Sequence, residues 1–311
     1  MRIALVDQSR TIARIVSELV AADGHEVLGF TDGRAALACL EADTEIRALI
    51  TSVQLGDLSG IELCAAAREL AGSRRPLYVM LMSSSDDRAV VVKALDRGAD
   101  DFIRKPPDVE ELRARLRLAD RVTRMQRELI VHATRDSLSG LLNRREFFHR
   151  AEDAAAQAAA GRPLSAIMLD IDHFKEVNDR HGHEGGDRAI VSVASQIALI
   201  DGVSGRLGGE EFGILLTVDL ASAVAMAEEL RAAIAQMPSF DVGGAGKSVT
   251  ASFGVAQWQR GDSIDHLLQR VDMALYQAKR RGRNCVVPAA APADERTLPQ
   301  WRRVVRSSAR V

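Results

Sequence analysis

Residues 48–60 read ALITSVQLGDLSG, an apolar run that passes into a turn rich in Gly, Asp and Ser. A short apolar run bounded by turn residues is typical of a strand that is buried on both faces. Similar runs lie at 2–7, 25–30, 77–84 and 100–106, and segments with helical periodicity separate them. Strands that alternate with helices predict an α/β domain with a doubly wound parallel sheet.

Polar residues follow several of these predicted strands. They are Asp7, Ser52, Ser83 and Lys105. Ligands of open parallel sheets bind outside the carboxyl ends of the strands, so we expect these four residues to share one pocket.

This pocket resembles that of the response-regulator receiver domains, and the resemblance covers residues 1–107. In that family, a flavodoxin-like (βα)5 fold holds Mg²⁺ beside an aspartate that accepts a phosphoryl group. Asp7 matches an acidic metal-site residue, Ser83 the hydroxyl residue after the fourth strand, and Lys105 the lysine that contacts the phosphoryl group.

Two replacements weaken the expected chemistry of this pocket. Ser52 stands where the phosphoacceptor aspartate belongs, and Gln8 replaces the second acidic residue. A serine hydroxyl cannot form the acyl phosphate that a carboxylate forms, and losing two carboxylates removes hard oxygen ligands for Mg²⁺. We therefore predict a degenerate receiver that is not phosphorylated on aspartate. Asp57, in the loop beyond Ser52, is a much weaker candidate acceptor.

Length and composition limit the classes of function. The chain has 311 residues, 47% hydrophobic residues and a net charge of −2, which predict two domains and no nucleic-acid partner. No apolar run reaches the roughly 20 residues of a membrane span, and the N-terminus does not read as a signal peptide, so we expect a cytoplasmic protein. The three cysteines are too scattered for a disulfide framework or a metal cluster.

A segment without Gly or Pro follows the receiver, at 108–135. In it, apolar residues and one His recur at four-three spacing: Leu118, Val122, Met125, Leu129 and His132. This spacing predicts a helix that continues into a two-stranded coiled coil, and hence a homodimer. The alternative is a single amphipathic helix packed on its own domain.

A second group of polar residues is acidic. The run SAIMLD ends at Asp170, with Asp172 two residues on, and the run GRLGGEEFGILL carries Glu210 and Glu211. If the strand end faces the turn between two further strands, these residues form an oxygen-rich site suited to Mg²⁺. With a nucleoside triphosphate, such a site permits two-metal activation of a hydroxyl for in-line attack on phosphate.

Gly208 and Gly209 precede the two glutamates. A Gly-Gly pair favours a hairpin turn with positive φ, and it lets a ligand approach the backbone because no Cβ is present. Each of these features alone is weak, since acidic turns and strand-end aspartates are common in proteins without such a site.

Together these segments resemble the diguanylate cyclase family, called GGDEF after its hairpin motif, from Thr134 to Pro288. The matching segments are RDSLSGLLNRREF, DIDHFKEVNDRHGHEGGD, GRLGGEEF, VTASFGVA and DMALYQAKRRGRN, in the family's order. The resemblance implies an α/β nucleotidyl-cyclase-like domain with a ferredoxin-like core.

The resemblance also implies metal and catalytic roles. Asp170, the backbone carbonyl of Ile171 and Glu210 match metal ligands. Glu211 matches the second acid of the motif, which either contacts a metal or helps to deprotonate the attacking hydroxyl, and the division of roles between Glu210 and Glu211 stays open. The implied cofactor is Mg²⁺, for which Mn²⁺ can substitute, with two ions per half-site when GTP is bound.

Further matches concern the substrate, GTP. Asn178 and Asp187 match the guanine readers, and a carboxylate can accept from both N1 and N2 of guanine, which adenine does not present together. Lys279 and Arg283 match triphosphate contacts, for which a point charge and a bidentate fork are suited. The backbone near Phe174 is expected to donate N–H groups to the phosphates.

An inhibitory site for the product, written Arg-x-x-Asp in many family members, is missing. The aligned positions are Leu199 and Gly202, and a register shifted by one residue pairs Ala198 with Asp201. Neither register contains the arginine. We expect no product inhibition through this site.

These features predict a diguanylate cyclase that acts as a homodimer and condenses two GTP into cyclic di-GMP. The predicted division is a degenerate receiver at 1–107, a helical coiled-coil linker at 108–135, the cyclase domain at 136–288 and a flexible tail at 289–311. A protein partner could dock on the receiver. The main alternative is a catalytically silent module that binds GTP or cyclic di-GMP, and Ser52 disfavours an enzyme controlled by phosphorelay.

Overall fold

The structure is a computed structural model of the chain. It describes residues 1–56, 58–72, 74–85, 88–237 and 249–289. Asp57 and all of the predicted tail beyond residue 289 lie outside the described residues. The chain divides into two compact units, one at Met1–Ala133 and one that begins at Thr134.

The first unit alternates strands and helices. In chain order they are β1 Arg2–Val6, α1 Arg10–Ala22, β2 Glu26–Phe30, α2 Gly33–Ala42, β3 Ile46–Ser52, α3 Gly60–Ala71, β4 Tyr78–Ser83, α4 Arg88–Asp96, β5 Asp101–Arg104 and α5 Val109–Thr134. The strands form one parallel sheet in the order β2-β1-β3-β4-β5. This confirms the predicted flavodoxin-like fold.

Both faces of this sheet are covered, as its apolar strands predict. In β1, Ile3 and Leu5 lie in a core cluster with residues of α1 and α5, while Ala4 and Val6 lie in a second cluster with residues of α2 and α3. Successive side chains of a strand point to opposite faces, so an uninterrupted apolar run supplies both layers.

The turn after β3 requires glycine at its end. Ser59 and Glu62 form a capping box at the start of α3, with the Glu62 backbone N–H donating to Ser59 Oγ at 3.2 Å. A Cβ on Gly60 would lie 1.9 Å from the carbonyl oxygen of Ser52. The start of α3 therefore lies tightly against the end of β3.

Helix α5 changes character along its length. Its first half is buried against the first unit's sheet through Leu112, Leu116 and Ala119, whereas Met125 and Leu129 are 55% and 67% exposed. The helix predicted from the sequence is thus present, and its first turns pack against the sheet of the first unit. The most exposed apolar side chains of the helix lie on its second half.

The second unit also has one sheet. Its elements are α6 Arg144–Ala159, β6 Ser165–Ile171, α7 Phe174–Ile197, β7 Val203–Gly208, β8 Glu211–Leu216, α8 Leu220–Ala235, β9 Ala251–Gln257, α9 Ile264–Arg280 and β10 Val286–Pro288. The strand order is β10-β9-β6-β8-β7. From β6 to β9 the chain follows the pattern βαββαβ with antiparallel neighbours, which is the predicted ferredoxin-like core.

The core of the second unit lies between this sheet and its helices. Phe212, Phe253 and Ile167 are fully buried and pack in one cluster with apolar residues of α7 and α8. This packing fixes the end of β6 beside the β7–β8 hairpin. Within the described ranges, no helix combines the length and apolar character needed to cross a bilayer.

Candidate active site

The acidic residues predicted for the site meet at one end of the second sheet. Because β6 and β8 are antiparallel neighbours, Asp170 near the end of β6 lies opposite Glu211 at the start of β8. The Ile171 backbone N–H donates to the Glu210 carbonyl at 3.3 Å. The carboxylates of Asp170, Glu210 and Glu211 are thus carried by adjoining segments.

The hairpin between β7 and β8 has the geometry that glycine permits. Gly208 and Gly209 have φ values of +156° and +50°, and Gly208 pairs with Glu211, so Gly209 and Glu210 form the connection. A Cβ at either glycine would meet nothing within 4 Å. The backbone of this turn is therefore open to a ligand, as predicted.

Two residues that the sequence did not single out hold the hairpin. Arg206 in β7 donates from Nε to the Gly209 carbonyl at 2.8 Å and from Nη1 to the Asp136 carboxylate at 3.1 Å. Asp136 also accepts from the Ser139 backbone N–H at 2.8 Å. The opening segment of the unit is thus tied to the turn. Asp136 and Arg206 are 70 positions apart, so local sequence patterns do not reveal this contact.

A lysine contacts the Asp170 carboxylate. Lys279 Nζ lies 2.7 Å from Asp170 Oδ2, and Asp170 is 6% exposed. Burial raises the pKa of Asp170 above its ordinary value, the contact with Lys279 opposes this shift, and the charges of Glu210 and Glu211 add to it. The site therefore concentrates negative charge that a cation would stabilise.

The donor set fits a hard divalent cation. Two carboxylates and the backbone carbonyl of Ile171 would offer oxygen donors, the kind that Mg²⁺ prefers, and Mg²⁺ commonly takes further ligands from substrate phosphates. In the part of the chain that the structure describes, no group of three or more His, Cys, Asp or Glu side chains forms a metal cluster. A site that is completed by the nucleotide agrees with both observations.

Both predicted guanine-reading residues, Asn178 and Asp187, lie in α7. The helix is interrupted at Gly182, which has φ +69° and ψ +175°. A Cβ on Gly186 would lie 2.0 Å from Asn178 Oδ1 and 3.1 Å from the Phe174 ring. Asn178 and Phe174 therefore pack beside Gly186, the neighbour of Asp187, and the lack of a side chain there makes this approach possible.

The two predicted phosphate contacts lie at the C-terminal end of α9. Lys279 is in the last helical turn, and Arg283 follows in a turn with φ +66°. The Arg283 backbone N–H donates to the Ala278 carbonyl at 3.2 Å. The two side chains thus come from one helix end, and the contact of Lys279 with Asp170 places that end at the acidic residues.

The predicted pocket of the first unit is also assembled. Lys105 forms an ion pair with Asp7 and donates from Nζ to Ser52 Oγ at 2.7 Å. Asp7 and Ser52 are 2% and 3% exposed. The Lys105 backbone N–H donates to the Ser83 carbonyl at 2.8 Å. The lysine is therefore neutralised inside the pocket by the carboxylate that remains.

Two family models match the chain. One, described as a diguanylate cyclase GGDEF domain, matches residues 133–285, and the other, a response regulator receiver domain, matches residues 3–117. These ranges coincide closely with the two units of the structure.

One relative matches nearly the whole chain, and another matches about half of it. The chain is 34% identical over 307 residues to the response regulator PleD of Caulobacter vibrioides, covering 93% of this chain and 66% of PleD. It is 41% identical over 178 residues to the diguanylate cyclase VdcA of Vibrio cholerae, covering 55% of this chain and 50% of VdcA. The chain thus spans about half to two thirds of these relatives.

A solved structure supports the second unit and the helix before it. The coiled coil and GGDEF domain of DgcB from Caulobacter crescentus, in complex with c-di-GMP, is 30% identical, with a TM-score of 0.54, and the match covers 58% of this chain and 98% of that one. The family models, the relatives and the assembled acidic site agree. The chain belongs to the GGDEF diguanylate cyclase family and carries a response regulator receiver domain ahead of its GGDEF domain.

Proposed function

We propose that this chain is a diguanylate cyclase that acts as a homodimer. The 3′-hydroxyl of each GTP attacks the α-phosphate of the other, two new phosphodiester bonds form, and two pyrophosphates leave. The observation that carries this proposal is the meeting of Asp170, the Glu210–Glu211 turn and Lys279 at one sheet end. The similarity to VdcA, which is named a diguanylate cyclase, supports it.

The carboxylates would hold the metal. Asp170, the Ile171 carbonyl and Glu210 are the proposed ligands of Mg²⁺ or Mn²⁺, with two ions per half-site once GTP is bound. The bound ions supply positive charge to the phosphates and lower the pKa of the attacking hydroxyl. Glu211 lies opposite Asp170 and either completes the ligand set or accepts the proton of that hydroxyl.

Other residues would bind the nucleotide. Asn178 and Asp187 read guanine, and Lys279 and Arg283 contact the triphosphate. The open backbone at Gly208 and Gly209 and the N–H groups at the start of α7, near Phe174, allow phosphate to approach closely. We expect selection of GTP over ATP, because the Asp187 carboxylate is an acceptor and would face an acceptor atom of adenine in place of the donors of guanine.

A product assay tests this function. We expect the purified chain with GTP and Mg²⁺ to yield cyclic di-GMP and pyrophosphate in a one-to-two ratio, and to leave ATP unchanged. The alternative, a silent binding module, predicts bound GTP with no product. The intact acidic and basic site residues favour the cyclase.

Dimerisation would be part of the mechanism, because each GGDEF domain supplies one half-site. Exposed apolar side chains of α5 on the four-three spacing include Leu118 near its middle and Met125 and Leu129 on its second half. A parallel second copy of the helix would cover them. We therefore propose that this part of α5 is the linker between the two domains. The proposed segments of the chain end at residues 107, 135 and 288.

The receiver would act without aspartyl phosphate. Ser52 supplies no acyl acceptor, and Lys105, the expected phosphoryl contact, is already paired with Asp7. We infer that the receiver serves as a dimerisation or partner-docking scaffold.

A phosphoryl analogue tests this view of the receiver. We expect beryllofluoride or acetyl phosphate to leave both dimer content and turnover unchanged in wild type, measured by light scattering and by product formation. The Ser52→Asp variant is the control, although Gln8 still leaves its pocket short of a carboxylate. An analogue-dependent rise in wild-type turnover would contradict the proposal.

We expect that cyclic di-GMP does not inhibit the reaction by binding outside the substrate site. Leu199 is 80% exposed and neither it nor Ala198 can supply the guanidinium of an Arg-x-x-Asp site. Added cyclic di-GMP is therefore expected to leave the maximal rate unchanged at saturating GTP. Initial rates at several GTP concentrations check this, and inhibition that GTP cannot relieve would refute it.

A further inference from the structure

A buried carboxylate outside the proposed metal set has an unusual group of partners. Asp172 follows β6 and is 5% exposed. It accepts from Thr250 Oγ1 at 2.8 Å, from Ser252 Oγ at 2.6 Å and from the Asn284 backbone N–H at 3.0 Å. The first two donors lie at the start of β9, and the third lies after α9. Asp172 therefore joins three segments that are distant in sequence.

The segment after α9 has an uncommon backbone conformation. Gly282, Arg283 and Asn284 have φ values of +110°, +66° and +44°. Glycine adopts positive φ freely and asparagine tolerates it, but an arginine does so only where its surroundings determine the conformation. The geometry of this turn must therefore be held by contacts on either side of Arg283.

Hydrogen bonds hold the turn on both sides of Arg283. Before the turn, the Arg283 backbone N–H donates to the carbonyl of Ala278, near the end of α9, at 3.2 Å. After it, the Cys285 carbonyl accepts from Phe253 N–H at 3.0 Å in the sheet. Between them, the Asn284 N–H donates to Asp172 Oδ2. Asp172 thus anchors the peptide that directly follows Arg283.

We propose that Asp172 is a positioning residue for Arg283: it anchors the left-handed turn after α9 and thereby directs the Arg283 guanidinium toward the triphosphate of GTP. This inference rests on the proposed function, in which Arg283 contacts phosphate. Lys279 does not depend on the anchor, because it lies within the helix and contacts Asp170 directly.

The chemistry of the donors separates two variants. A backbone N–H can only donate, whereas the hydroxyls of Thr250 and Ser252 can donate or accept. Asp172→Asn keeps a carbonyl oxygen for Asn284, and its amide can donate to the Ser252 hydroxyl. Asp172→Ala leaves the Asn284 N–H without this acceptor. Asn should therefore rescue the function that Ala loses.

A double-mutant cycle tests the proposal. The probe is a GTP analogue with a methylene group between the α- and β-phosphates, titrated calorimetrically into the full chain with Mg²⁺. We expect Asp172→Ala and Arg283→Ala each to weaken binding by about tenfold, and the double variant by no more than either one, because both remove the same contact. Asp172→Asn is expected to bind like wild type.

Controls separate positioning from general stability. Asp219 also accepts a backbone N–H, from Ser222 at 2.8 Å, at the start of α8. Asp219→Ala should lower the thermal midpoint and leave the affinity unchanged. If Asp172→Ala does not fold, Thr250→Val removes one of the three donors, and its smaller loss of affinity should likewise vanish in the Arg283→Ala background.

Additive losses in the cycle, or an Asp172→Asn variant as weak as Asp172→Ala, would overturn the proposal. The binding titration needs no turnover. A wild-type chain that binds the analogue but forms no cyclic di-GMP would refute the proposed function alone, whereas a wild-type chain that does not bind it would refute both.

Discussion

The Asp170→Asn variant is expected to lose cyclic di-GMP synthesis by on the order of 10³-fold, which corresponds to about 4 kcal/mol of the reaction barrier. Asparagine keeps the shape of the side chain but removes the charge that would hold the metal. It also leaves the Lys279 ammonium without the carboxylate that it contacts at 2.7 Å. Product formation from GTP and Mg²⁺, measured by chromatography, gives the result.

A matched control is available on an exposed helix face. Asp153 lies on α6 and is exposed, so Asp153→Asn removes the same charge away from the acidic site. It should retain wild-type activity. The thermal midpoint of Asp170→Asn should not fall, because burial of its carboxylate is unfavourable and its pKa is raised. An Asp170→Asn chain with more than about a tenth of wild-type activity would contradict the assigned role.

The second large effect concerns α5. We expect Leu129→Glu to weaken dimerisation by at least about 100-fold, because two copies of the side chain lose apolar burial and two like charges meet. Leu129 is 67% exposed in the single chain, so the free chain should keep its stability. Activity per chain should fall at dilute protein and recover as the concentration is raised. Sedimentation and turnover over one concentration series measure both.

Arg127→Gln is the control for this variant. It changes the net charge by the same amount on an exposed position of α5, away from the four-three seam. It should leave dimer content and activity unchanged. If Leu129→Glu remained dimeric and active at dilute protein, the seam would not be the dimer contact, and α5 would be a helix packed only on its own domain.

The receiver fold could be predicted because its information is local. Each strand is an apolar run and each helix shows its own periodicity, so alternation alone predicts the parallel sheet. The pocket residues Asp7, Ser52 and Lys105 follow because strand ends of such a sheet meet at one edge. Their internal pairing through the Lys105 ammonium could not be predicted, since it depends on side-chain geometry across 53 residues.

Local sequence patterns predict less about the acidic site of the second unit. Asp170 and Asp172 look equivalent in sequence, yet Asp170 contacts Lys279 and Asp172 is bound by Thr250 and Ser252. Their environments differ because β6 ends at Ile171, between them, and because β9, about 80 residues later in the chain, approaches Asp172. Long-range pairing of this kind leaves no local signal.

Other features were hidden for the same reason. The segment with the guanine readers is helical despite its glycines, with a break at Gly182. Gly186 is needed there for the approach of Asn178, not for a turn. Arg283 has a left-handed backbone conformation, although arginine is not a residue type that predicts positive φ. In each case, tertiary contacts override local preference.

We propose that two of these chains together convert two GTP into one cyclic di-GMP. The most direct measurement is a time course of GTP, pyrophosphate and cyclic di-GMP with Mg²⁺ at dilute and concentrated protein. We expect two pyrophosphates for each cyclic di-GMP and a rate per chain that rises with protein concentration. GTP that stays bound and unchanged at both concentrations would contradict the claim and leave a silent nucleotide-binding module.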